Sequence, residues 1–422
     1  MLTRSDIIKF YAKFYKVKNM MLPFILLLWV ILSFVVSPVN EVFTGFIDII
    51  THKSILLSDY TAIGGLGAAF FNSALLMIAS YAILKVLDMR ITGPIFAGIL
   101  TIGGFAFFGK NILNVGIIYL GVYLYTRYKK ISLKSVIIIM LFASGIAPMV
   151  SLLMFGVGLP LYYSIPLGIA VGIAAGMLIV ELSVHAITFH KGFDLYNVGF
   201  AGGIISIIVI ALINFSPLSY TMDTVYVTDY HLFFFILFIL LDVFFMVIGF
   251  TYNEKSLKGY KSLLKLSGRA VTDFTRHNHY AITLFNVGLT GLIVLTYITI
   301  LGIQISGPVA GALMTVMGFA AFGKHIKNVV PSMLGVTIMA LVLGYEFTHI
   351  GVSLAIIFST GLAPLSGEHG PVYGIIGGML HLPLVFSFGE LLGGVQLYAN
   401  GFSAAFTAVL MNTLISTVKK EK

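Results

Sequence analysis

The sequence has no cysteine, one tryptophan and few charges: Asp, Glu, Lys and Arg make up only 10% of its 422 residues. The missing cysteines exclude disulfides, thiolate metal sites and a cysteine nucleophile. The missing charges exclude more. A soluble domain is about a quarter charged and about 45–50% apolar. This chain is 59% hydrophobic, with a mean hydropathy of +1.03. So few charges cannot cover a water-facing surface, and the chain reads as an all-α, polytopic integral membrane protein. The first apolar run follows "MLTRSDIIKFYAKFYKVKN" without a small-residue cleavage site, so it reads as a spanning helix and not a signal peptide. The net charge of +9 sits in short connections, where membrane topology explains it, and nucleic acid is not an expected partner.

Apolar runs near 20–38, 61–87, 92–109, 111–127, 134–156, 161–187 and 198–214 form one set; a second lies near 231–251, 279–301, 306–323, 326–345, 349–365, 371–389 and 402–417. They predict about 14 transmembrane or re-entrant helices in two sets of seven, some of the short, glycine-broken runs being half-helices. Basic residues orient them. Arg4, Lys9, Lys13, Lys16 and Lys18, then Arg127, Lys129, Lys130 and Lys134, then six Lys and Arg between 252 and 278 mark the cytoplasmic side. The link 215–230 has Asp223 and Asp229 but no Lys or Arg, and reads as external. The expected division is a cytoplasmic segment 1–19, a membrane repeat 20–214, an external link 215–230, a second repeat 231–417 and a cytoplasmic tail 418–422.

The halves are copies. At a shift of 214, Gly93-Pro94 falls on Gly307-Pro308, Thr101 on Thr315, Phe108-Gly109-Lys110 on Phe322-Gly323-Lys324, and Phe71-Asn72 on Phe285-Asn286. At a shift of 202, Gly168, Gly172 and Gly176 fall on Gly370, Gly374 and Gly378, and Leu195-Tyr196 on Leu397-Tyr398. A unit that crosses an odd number of times leaves the next copy upside down, so the repeats are expected to be inverted. The glycine stripes have the spacing of tight helix contacts, expected between the repeats or between subunits of a dimer or trimer.

Gly-Pro opens a helix, and the backbone groups it frees must face protein or a water-filled cavity. The repeated block is therefore the expected pathway, with Thr101, Thr315, Phe105, Phe108, Phe319 and Phe322 as its walls. Asn72 and Asn286, with Asn197 and Asn400, offer the donor and acceptor that an amide-like or urea-like solute needs, or else cap half-helices. Lys110 and Lys324 close the blocks, and snorkelling to opposite interfaces is the expectation for them. Asp242 lies deepest in an apolar run, while Glu181, His185 and His381 are further candidates for ion coupling. No metal-ligand spacing, cofactor motif or nucleophile–base set is legible, so neither catalysis nor a cofactor is expected.

The duplicated "SGPxxGxxxT…GFAxFGK" and "LYNVGF" resemble an uncharacterised bacterial polytopic membrane-protein family with a duplicated domain of unknown function. "FFNSALLMIA" and "LFNVGLTGLI" distantly resemble the aromatic-Asn-x-x-Leu segment in each half of urea transporters. That resemblance implies inverted halves, a phenylalanine-lined pore and a trimer, although this chain has about seven segments per half where that family has five. The expected function is a channel or facilitative transporter for a small polar solute in the cell membrane. An H⁺- or Na⁺-coupled transporter using an intramembrane carboxylate is the alternative, and a membrane-embedded enzyme or scaffold is a third.

Overall fold

The computed structural model describes residues 4–55, 57–270, 272–277 and 280–420. Their regular structure is helical, with only two isolated β-bridges, Ser58 with Val225 and Asp59 with Phe108, among the described residues. The helices follow one another in the same order in each half. Gly93–Phe105 matches Gly307–Phe319, Ile112–Lys129 matches Ile326–Leu343, and even the single turns Tyr60–Ile63 and Phe274–His277 lie 214 apart.

Fourteen long spans are not found. Nine helices among the described residues are long and apolar enough to cross a membrane, or up to 11 if each of two bent pairs is one span. Two short helices, two bent runs and the helix Ile112–Lys129, which is not among the nine, account for the difference. The runs at 92–109 and 306–323 hold helices of 13 residues, about 20 Å long against a hydrocarbon core of about 30 Å. Each starts at its Gly-Pro pair, and the first ends before a left-handed turn that Gly109 takes at φ +80. The run at 134–156 is bent at the three-ten turn Ser144–Ile146, whereas Ile350–His369 carries its own three-ten turn at Ser359–Leu362 and still counts as a span. The first run ends at Val35, and after Pro38 the helix Val39–Thr51 departs at 109°. That helix lay in no apolar run because it is two-faced: Val42 and Ile49 are buried while Glu41 and Asp48 are exposed.

The halves meet around a pseudo-two-fold axis. The short helices Gly93–Phe105 and Gly307–Phe319 pack on each other. A Cβ on Gly104 would lie 2.6 Å from the carbonyl oxygen of Gly311, and one on Gly318 would lie 2.9 Å from Cα of Ala97. Ala97 is the counterpart of Gly311 as Gly104 is of Gly318, so the contact is reciprocal, as a two-fold demands. Asn197–Asn214 and Ala399–Lys420 cross the axis likewise, Gly199 against Gly401. The glycine stripes do not join the halves. Gly176 packs on Gly121 and Gly378 on Gly335, each within its own half, because these neighbouring helices of one repeat need close backbone approach.

Candidate functional site

A chamber of about 170 Å³ lies on this axis. Its walls come in equivalent pairs: Thr101 and Thr315, Phe105 and Phe319, Phe142 and Phe358, Tyr196 and Tyr398, Gly199 and Gly401. Asn197, Asn400 and Phe322 also line it. The walls are therefore mostly aromatic and aliphatic, with a few hydroxyls and amides.

Behind the walls sit two buried lysines. Lys110 Nζ donates to Ser144 Oγ at 2.9 Å and to Tyr398 OH at 2.6 Å. Lys324 Nζ donates to Thr360 Oγ1 at 2.8 Å and to Tyr196 OH at 2.5 Å. Each lysine thus reaches a tyrosine of the opposite half. Neither snorkels to an interface: both are 0% exposed, because each chain turns back immediately after the short helix and the next helix starts at the following residue but one. Asn114 Oδ1 fixes that start by accepting from Asn111 N at 2.9 Å, as Asn328 Oδ1 accepts from His325 N at 2.8 Å.

Asn72 and Asn286 do not reach the chamber. Asn72 Nδ2 donates to the carbonyls of Ala106 and Lys110, at 2.8 and 2.7 Å. Asn286 Nδ2 does the same for Ala320 and Lys324, at 2.8 Å each. The physical reason is the short helix's end, whose free carbonyls need donors in a lipid-depth interior. Phe108 packs against Phe105 with ring centroids 4.9 Å apart and does not line the chamber. Asn197 is spent on Ser183 O and His190, and Asn400 bonds His381 Nε2 at 3.2 Å, so His381 supports the wall without forming it. Glu181 pairs with Lys129 at 2.8 Å and accepts from Tyr125 OH, and His185 is exposed one turn on; both lie off the chamber. Asp242 is buried against Gly291, its two carboxylate oxygens without a hydrogen bond, and it too lies off the chamber.

Sequence reasoning overlooked two pairs. Asp59 and Asp273, in "SDYT" and "TDFT", each hold the first turn of the other half's short helix. Asp59 Oδ2 accepts from Gly307 N at 3.0 Å, and Asp273 Oδ1 from Gly93 N at 3.3 Å. Thr61 and Thr275 fix these carboxylates through their own hydroxyls, at 2.7 and 2.6 Å. The signal was an Asp-aromatic-Thr triplet repeated at the shift of 214. The second pair is Asp194 and Gln396, equivalent at the shift of 202 but different in charge.

The chamber is not symmetric along the axis. Pro94, Thr272 and Phe322 line it on the Asp273 side, while their counterparts Pro308, Ser58 and Phe108 do not. On the Asp59 side the backbone is stitched shut: Tyr60 N donates to Phe107 O at 2.8 Å and Asp59 N to Val225 O at 2.9 Å. Lys53 and Asp223 pair beside this seam. No bond from Phe274 N to Ala321 O matches the first of these among the described residues.

These features define a multi-pass helical protein of the membrane type, made of two like halves around a shared chamber. The chain belongs to the family described as "Protein of unknown function (DUF1576)", whose profile matches it twice, over residues 39–215 and 252–417. No curated protein and no solved structure matches it.

Proposed function

We propose that this chain is a transport protein of the cytoplasmic membrane, with both termini cytoplasmic, whose solute occupies the chamber between two inverted repeats. The chamber carries the reading: it lies on the pseudo-two-fold and is walled by the same positions of both halves, the usual place for a solute site in repeated transporters. The inverted arrangement draws support from the seams. Asp59 adjoins the link 215–230, which lacks Lys and Arg, whereas Asp273 lies within the strongly basic segment 252–278. Equivalent residues thus face surfaces of opposite charge character. Counting each short helix as a crossing, a half crosses seven times.

The one-sided chamber favours a carrier over an open channel, because the path on the Asp59 side is sealed while the other side lines the cavity. Asp242 stands away from the chamber, so this reading does not use it for coupling. The wall chemistry favours a solute with an apolar body over a urea-like one, since few of urea's hydrogen bonds could be replaced there.

The test is flux from proteoliposomes holding a panel of small organic acids, amides and neutral aromatics. The parent chain is expected to speed release of at least one, and Thr315→Leu, which fills the chamber, to slow that release several-fold in a folded protein. A folded Thr315→Leu chain with parental flux, or a parent no faster than empty liposomes across the panel, overturns the reading.

A further inference from the structure

We infer that the chamber binds a small monoanion with an apolar body, of the class of aromatic or branched-chain carboxylates. This rests on the chamber being the solute site. Its size sets the body: a dry apolar cavity of about 150 Å³ accepts a benzene-sized guest, and the chamber measures about 170 Å³. Its paired rings offer a flat or branched hydrocarbon close contacts on both faces.

A polar handle is present on one side only. Thr315 Oγ1 donates to the carbonyl of Gly311 at 2.8 Å and is spent. Thr101, its equivalent, is 1% exposed, lines the chamber, and its hydroxyl has no protein partner. A buried hydroxyl without a partner is costly, and a ligand acceptor in the chamber removes that cost.

Charge sets the sign of the ligand. Lys110 Nζ lies 4.9 Å from the centroid of Phe105 and 4.7 Å from that of Tyr398. Lys324 Nζ lies 4.9 Å from Phe319 and 4.5 Å from Tyr196. All four rings are chamber walls, so a cation backs each aromatic pair, in surroundings of ring faces and hydroxyl oxygens that suit an ammonium. Lys324 has Asp194 near enough for the charges to attract. The position equivalent to Asp194 in the other half is the neutral Gln396, so Lys110 has only hydroxyl partners. With all three groups ionised, the chamber's surroundings hold two cations and one carboxylate. A buried charge is costly until it is paired, and an anion in the chamber, donated to by Thr101 and drawn by Lys110, completes the set.

The experiment is binding to the detergent-purified full chain, read by titration calorimetry, with benzoate and benzamide as probes of equal shape and different charge. Benzoate is expected to bind saturably, about tenfold or more tighter than benzamide, the discrimination of one charge-assisted contact. Lys110→Gln is expected to remove that preference, Thr101→Val to weaken benzoate several-fold, and Thr315→Leu to exclude both probes. Equal binding of the two probes, binding of neither, or benzoate affinity unchanged in Thr101→Val and Thr315→Leu overturns the inference. Should Lys110→Gln not fold, the parent's benzoate-to-benzamide ratio decides alone. Benzoate that binds without crossing proteoliposomes would remove the transport reading and leave this site standing; carriage of a neutral solute without benzoate binding would do the reverse.

Discussion

Asn72 and Asn286 show how far a residue type can be read. Their pairing at the shift of 214 is plain in the sequence, but a primary amide serves a solute or a bare carbonyl equally well. Which one it serves depends on where the short helix ends, and that is set by Gly109, Asn111 and Asn114 together. The lysines were misread for a related reason. An apolar run ending in lysine looks like a membrane border, whereas here the next helix starts two residues on and the ammonium turns inward to the opposite half's tyrosine. Asn72→Asp, which keeps the shape and loses the NH₂ donor, should strip partners from the carbonyls of Ala106 and Lys110. The expected cost is about 1–3 kcal/mol for each carbonyl left bare, read as a lower denaturation midpoint of the purified protein. A midpoint equal to the parent's would mean the amide supports nothing there.

At the scale of elements, helix type and order were legible because apolar runs and Gly-Pro punctuation are local signals. Helix length and partner were not, since a 13-residue helix and a full span share one composition. The packing role of each glycine depends on its neighbour in space, which the sequence does not print. Gly104 and Gly116 make the contrast testable. A Cβ at Gly104 meets the backbone of Gly311 at 2.6 Å, whereas nothing lies within 4 Å of one at Gly116. Gly104→Ala should push the short helices apart and destabilise by about 1–3 kcal/mol. Gly116→Ala should be neutral or stabilise by up to about 1 kcal/mol through helix propensity. Thermal melting of the two variants checks both expectations, and equal melting temperatures would contradict the close contact across the axis.

At the scale of the molecule, the repeat and the membrane class were legible, and of the residues read as pathway walls Thr101, Thr315, Phe105, Phe319, Phe322, Asn197 and Asn400 line the chamber. Tyr196 and Tyr398 went unassigned because their role needs the lysine of the other half, 128 residues away in one case. The proposed topology places residue 222 and the C-terminus on opposite sides of the membrane, and reporter fusions at the two points should disagree in sidedness. The central claim, a chamber on the two-fold closed on one side at a time, meets its most direct test in thiol labelling. The chain has no cysteine of its own, so Ser58→Cys and Thr272→Cys, 214 residues apart, probe the two seams cleanly. An impermeant maleimide applied to oriented vesicles should label Thr272→Cys from the side of the basic segment and leave Ser58→Cys unlabelled from either side. Adding Asp59→Asn, or Thr61→Val where that variant folds better, should raise labelling at Ser58→Cys and lower it at Thr272→Cys. Equal and simultaneous labelling of both positions in the otherwise native chain, or no response of either to the loosened seam, would contradict the account.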